Sequence, residues 1–168
     1  MKPFWLRLIL VCSFATTSWA ADVKATRDDV CVRKFDNELP KGEEKLSRFL
    51  WNNFANKPEE QQFDSLTSLK WRQTVAEFEL ALVENAKREQ LDFESLKKCF
   101  QELAKEQSRL ARVPVGAYAA KQGKSAIWII VLKWEARGIG GKPQLLSHVM
   151  IYAFDAKKLR KIGYVTCA

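Results

Sequence analysis

Apolar residues recur every three to four positions from Gly42 to about Arg112 and alternate with a period of two beyond it. In the first region Leu46, Phe49, Leu50 and Phe54 give a helix one apolar face. Pro40 and Gly42 open that helix, and Asn56-Lys57-Pro58 stops it, because a proline disfavours helical backbone in the residue before it. A second helix is expected from about Ser65 to Lys87, with Asp64 or Ser65 accepting a backbone N–H at its start. Trp71, Val75, Phe78 and Leu82 form one stripe on it, and Leu69, Ala76, Leu80 and Val83 an adjoining one. Two stripes make a wide apolar face and a central place in the packing. The third helix starts most clearly: Asp92 is its N-cap, with Leu91 and Leu96 at the two positions of a hydrophobic staple. Leu96, Cys99, Phe100, Leu103 and Leu110 share its buried side, and Val113-Pro114-Val115 ends it.

Residues 113–121, 125–136, 144–154 and 160–167 read as strands. The run Ala126 to Leu132 is apolar on both alternating sets, as suits a central strand covered on both faces. Gln122-Gly123-Lys124 forms a tight turn, Gly138-Ile139-Gly140-Gly141 a longer one, and Asp155-Ala156-Lys157-Lys158 closes the last hairpin. Val30-Cys31-Val32 is a short extended candidate ahead of the helices. The expected architecture is a single α+β domain. Three N-terminal helices, about 42–111, pack on a C-terminal four-stranded antiparallel β-meander, about 113–167. There is no internal repeat or low-complexity segment, and these residues point to no known family.

Met1 to Ala20 reads as a secretory signal peptide. Lys2 and Arg7 supply the positive start, Phe4 to Ala15 a short apolar stretch, and Ser18-Trp19-Ala20 the cleavage site with its small residues. The apolar stretch is too short to anchor in a bilayer. Export, with residues 21–168 forming the mature domain in the periplasm or medium, is therefore expected. The absence of an Asn-x-Ser/Thr acceptor favours the periplasm. Removing the signal lowers the net charge from +8 to +6, since Lys2 and Arg7 leave and no acid does. The basic residues are spread among acids, which reads as a solubilising surface; Lys157, Lys158, Arg160 and Lys161 form the one tight cluster. Cys31, Cys99 and Cys167 remain. In an oxidising compartment a Cys99–Cys167 bridge would pin the last strand to the helical layer, with Cys31 as the alternative partner.

Candidate chemistry is sparse. His148 is the single histidine, so it cannot supply the usual zinc ligand set, and the widely spaced cysteines form no zinc ribbon or redox pair. His148 with Cys167 could stand as a base and thiol, but the context of Cys167 matches no nucleophile motif. Arg137 to Pro143 lacks the glycine spacing, the Ser or Thr and the following helix of a phosphate loop. Glu77, Glu84, Glu89 and Glu135 fit charged element surfaces better than a paired-carboxylate cleft. No catalytic residue, cofactor or metal is expected.

The feature that remains is an asymmetry between sheet faces. Ile127, Ile129 and Val131, with Val149, Ile151 and Ala153, form a small or β-branched set suited to lie under helices. Trp128, Ile130, Leu132 and Trp134, with His148, Met150, Tyr152 and Phe154, form an aromatic set with polar tips. Trp128, Trp134, His148, Met150 and Tyr152 are accordingly the candidate binding face. The competing reading is a second half of the core, covered by the first helix or the N-terminal segment. The expected function is a non-enzymatic exported protein that recognises another protein, with an inhibitor- or immunity-like role. Binding of an anionic envelope polymer or lipid surface through net positive charge is the alternative, and a hydrolase the third. Nucleic acid is not an expected partner.

Overall fold

Five strands form one mixed sheet in the computed structural model, which describes residues 30–55, 61–63, 68–106, 110–136, 144–146 and 148–166. In chain order the elements are β1 (Cys31–Glu38), α1 (Glu43–Phe54), β2 (Gln61–Phe63), α2 (Ser68–Arg88), α3 (Phe93–Lys105), β3 (Leu110–Gln122), β4 (Ser125–Ala136), β5 (Gln144–Leu146), β6 (His148–Asp155) and β7 (Arg160–Thr166). The large sheet runs β1-β3-β4-β6-β7; β2 and β5 form a separate antiparallel pair. The signal segment, the Asp64/Ser65 cap, the loop at 138–143 and Cys167 lie outside the described residues.

The expected four-stranded antiparallel meander with all helices ahead of it is therefore corrected. β1 is a fifth strand, parallel to β3, and the three helices lie between those two strands in sequence. A parallel pair needs a long crossover, and the helices supply it. The extended candidate Val30-Cys31-Val32 overlaps the start of β1; the rest of the strand hides in the sequence because Val32 alone among its residues is buried, while Arg33, Lys34, Asp36, Asn37 and Glu38 are exposed. Such charge is what keeps an edge strand from pairing with other chains.

Three further boundaries shift. The third helix stops at Lys105, because Glu106 takes extended backbone (ψ 105°); Leu110, which continued the helical spacing, begins β3. Pro114 does not end a helix but lies inside β3, where a bulge between Pro114 and Gly116 accommodates a residue that cannot donate to the ladder. The strand expected over 144–154 divides into β5 and β6, with different partners. On α2, Phe78 and Leu82 of the first stripe are buried and Val75 packs against the core; of the adjoining stripe Val83 also packs against it, whereas Ala76 is exposed and Leu80 is 55% exposed.

Both sheet faces are covered. Tyr118, Ile129, Ala153 and Gly163 stand in register across β3, β4, β6 and β7. Helix α1 lies on their side: the Phe54 ring packs tilted against Tyr118 with centroids 4.8 Å apart, and Leu46 and Leu50 rest against Gly163. The glycine makes that approach possible, since a Cβ there would stand 2.7 Å from Leu46 Cδ2. The opposite, aromatic side carries α3, with α2 packed beside it and along β3 and β1. Asp92 caps α3 by accepting from Ser95 N–H at 3.1 Å, as its sequence position implies. Ser95 then does a second job: its buried hydroxyl accepts from Trp128 Nε1 at 2.8 Å, which satisfies an indole N–H in the interior.

Candidate functional site

Three of the five candidate face residues lie in the interior. Trp128, Met150 and Tyr152 are 2%, 4% and 3% exposed, because the amphipathic stripe of α3 covers the aromatic face. Among the described residues the cover is α3, and the first helix lies on the other face; the N-terminal segment before Val30 lies outside the described residues. What stays within reach of solvent is the end of that face beyond α3. There Trp134 and His148, opposite one another on β4 and β6, are half-buried and stack at 4.7 Å. Trp134 Nε1 donates to Thr166 Oγ1 at 3.1 Å, and that hydroxyl donates to the Val149 carbonyl, so the indole is held to β7.

Two residues that sequence reasoning passed over join this region. Tyr164 lies opposite Tyr152 on β7, with ring centroids 4.9 Å apart, and is 39% exposed. The β6–β7 alternation carries the signal for it, since whatever faces Tyr152 shares its side of the sheet. Trp51 is 38% exposed on α1, one turn beyond Ser47, whose hydroxyl donates to the Tyr164 carbonyl at 3.4 Å. Aromatic surface thus runs along the β7 edge from both sides.

A polar cluster closes the region against α3. Arg112 donates to the Leu103 and Glu106 carbonyls, to Glu106 Oε2 and to the Tyr152 hydroxyl. It therefore caps the C-terminus of α3, where backbone carbonyls lack helical partners. Tyr152 donates to Glu106 Oε2 at 3.1 Å, and Lys161 Nζ donates to Glu106 Oε1 at 2.8 Å. The same ammonium lies 5.3 Å from the Tyr152 ring centre and 5.5 Å from that of Tyr164. Burial pushes the Glu106 carboxyl up, but the hydrogen bonds from Lys161 and Tyr152 and the charges of Lys161 and Arg112 outweigh it and hold it below the usual range. Tyr152 moves the other way, raised by burial and by the adjacent Glu106 charge. This carboxylate is locked as an acceptor and the phenol as a donor, an arrangement suited to holding shape.

The sulfur and carboxylate groups elsewhere are equally committed. Cys31 and Cys99 carry free thiols, and among the described residues there is no disulfide; Cys167, the proposed partner, lies outside them. Burial, together with the charges of Asp92, Glu102 and Asp155, pushes the Cys99 thiol up to about 12, so it carries almost no thiolate at neutral pH. Glu77, Glu84 and Glu89 are exposed. Among the described residues no group of three or more His, Cys, Asp or Glu could hold a metal, and no helix is long and apolar enough to cross a membrane.

Glu79, half-buried on α2, has its carboxyl pushed up to about 7 by burial. The folded state therefore resists its ionisation. The stability this residue leaves intact below about pH 4.5 is lost as pH rises through about 7. Glu79→Gln is expected to remove that loss and to raise stability at pH 8 by on the order of 1 kcal/mol, allowing for solvent on its open side. Urea unfolding of both proteins at pH 5 and pH 8 measures it; an unchanged difference between the two pH values would refute the assignment.

No protein-family model, curated protein or solved structure matches the chain.

Proposed function

We propose that this is an exported, non-enzymatic binding protein that recognises another protein through the open end of its aromatic sheet face. The observation that carries the reading is the set formed by Trp134, His148 and Tyr164, with Trp51 across the β7 edge. Large aromatics with polar tips, partly exposed and held by hydrogen bonds, are the residues that dominate protein interfaces. Their rigidity lowers the ordering cost of binding. Lys161, beside Tyr164, supplies a cation at the rim, where charge sets the rate and register of encounter. An inhibitor- or immunity-like role fits a surface of this kind.

The test is retention of one partner from an extract of the source organism on immobilised protein, through a high-salt wash, followed by affinity measurement on variants. Tyr164→Ser and Trp51→Ser alter exposed side chains and leave the core intact. Each is expected to weaken binding about 30-fold, the effect of a hot-spot residue. Trp134→Phe, which keeps the stack with His148 but not the Thr166 bond, is expected to weaken it less. Full affinity in both serine variants would sink the assignment of this surface.

A further inference from the structure

The turn end of the sheet gathers positive charge that the sequence scatters over more than a hundred residues. The β3–β4 hairpin turns at Gly123-Lys124, and its last pairs are Lys121 with Ala126 and Gln122 with Ser125. The β6–β7 hairpin turns at the same end, since Asp155 pairs with Ile127 and with Arg160, and Ala156 N–H donates to the Ala126 carbonyl at 2.9 Å. The β1–α1 connection arrives there too. Leu39 N–H donates to the Lys121 carbonyl, Gln122 Nε2 donates to the Pro40 carbonyl, and Lys41 Cε lies 4.0 Å from the position a Gly123 Cβ would take. Lys41, Lys121, Lys124, Lys157, Lys158 and Arg160 therefore share one end of the molecule, and all six are exposed.

Four exposed carboxylates lie near them in the chain, and three are engaged within the fold; Asp36 pairs with Lys34 at 3.3 Å. Glu38 Oε1 accepts from Gly123 N–H at 2.9 Å, and Glu44 pairs with Arg48; Glu43 opens α1. Asp155 is turned inward, where its Oδ1 accepts from the backbone N–H groups of Lys157 and Lys158. Among the described residues, none of the six cations enters an ion pair. Their charge is left to face solvent.

We propose that this turn end docks on an anionic phospholipid bilayer. Five of the six residues are lysines, compact charges on flexible stems, which suit a fluid array of phosphates. A discrete anion pocket would favour the guanidinium fork. The cations are spread across the ends of four neighbouring strands, β1, β3, β4 and β6, and the start of β7, a footprint of roughly 20 Å at the spacing of paired strands. The turn residues 39–42, 122–125 and 156–159 contain no aromatic side chain on which a base could stack, which disfavours single-stranded nucleic acid. This surface lies at the opposite end of β4 from Trp134, so the inference stands apart from the partner-binding reading.

Cosedimentation of the full protein with vesicles tests it. Vesicles of phosphatidylglycerol mixed with phosphatidylcholine are compared with phosphatidylcholine alone, at low and high salt. The triple variant Lys124→Gln, Lys157→Gln, Lys158→Gln is compared with Arg48→Gln, Arg72→Gln, Lys105→Gln, which removes equal charge from exposed helix positions. Each basic residue near an anionic surface contributes roughly fivefold, so the turn-end variant is expected to bind on the order of 100-fold more weakly to the anionic vesicles. The helix variant is expected to lose less than a tenth of that. Equal losses in the two variants would mean that net charge alone acts and would overturn the proposal. Equal binding to phosphatidylcholine alone would do the same, as would tighter binding to heparin or duplex DNA than to vesicles at matched charge.

Discussion

Gly163→Val is expected to destabilise the protein by about 3 kcal/mol, the upper range for forcing extra carbons into a packed site. The direction is diagnostic. A glycine inside a strand is normally a weakness, and a β-branched residue placed there would stabilise by up to about 1 kcal/mol on propensity alone. At Gly163 the gain is overridden, because even a single Cβ would stand 2.7 Å from Leu46 Cδ2, 3.1 Å from Leu46 Cγ and 3.4 Å from Leu50 Cδ1. Neither leucine has room to yield, since both are buried against the sheet. Either α1 lifts from β7, exposing core, or β7 shifts. Urea unfolding measures the loss. Leu46→Ala/Gly163→Ala supplies the internal control: the smaller leucine replacement makes space for the new methyl, so the double variant is expected to be more stable than the sum of the two single changes implies. A Gly163→Val protein as stable as the parent would show that α1 does not rest on β7 there.

The second large effect is expected at Arg112. Its guanidinium, with the side chain 14% exposed, serves two carbonyls, a carboxylate and a phenol at once. Arg112→Met leaves those acceptors short of a donor at the end of α3. Removing one partner of a fully buried pair costs about 3–5 kcal/mol. Here Lys161 and Tyr152 still hold Glu106, and its side chain is 38% exposed, so about 2 kcal/mol is expected. Arg112→Lys recovers little, because one ammonium cannot span partners on α3 and β6. A second signature follows from pH. Glu106 titrates below its ordinary value in the folded protein, so its contribution is present above about pH 4.5 and is lost as pH falls through the folded value. Without Arg112 that acid-side loss is expected to shrink. The window lies below that of Glu79, so one titration of stability against pH separates the two residues. An Arg112→Met protein with parental stability and an unchanged acid limb would refute the capping role.

Local rules account for much of the molecule. The capping carboxylate of Asp92, the span 125–136 and the Gly123 turn each depend on neighbours within a few residues, and they are where the sequence places them. What escaped depends on distance along the chain. β1 has a single buried residue, and its partner strand begins beyond three helices. Alternation on β4 and β6 separates two faces but is silent about which helix lands on each. The aromatic face was therefore legible as a face, with core as one of its two readings, but the helix that covers it, α3 across Trp128, was not. Helical spacing from Leu103 to Leu110 was real but misleading, because the same spacing is met by a helix end followed by a strand start. Of the candidate surface, Trp134 and His148 could be found from alternation. Trp51 could not, since exposure at one position of a helix is not written in its period.

The place of β1 bears on how the chain reaches this state. The hairpins β3–β4 and β6–β7 close through turns of a few residues, so they can form as soon as they are released from a translocation pore or ribosome. β1 has no local partner. Glu38 and the Gly123 amide it receives are 85 residues apart, and among the described residues no strand pairs with its outer side. Its loop-closure entropy is paid late, after the helices and hairpins have built the edge it joins. The strand emerging first is thus the one expected to dock last. Its amides are expected to exchange with solvent deuterium sooner than those of β4 and β6, in the manner of the least protected unit of a stepwise assembly.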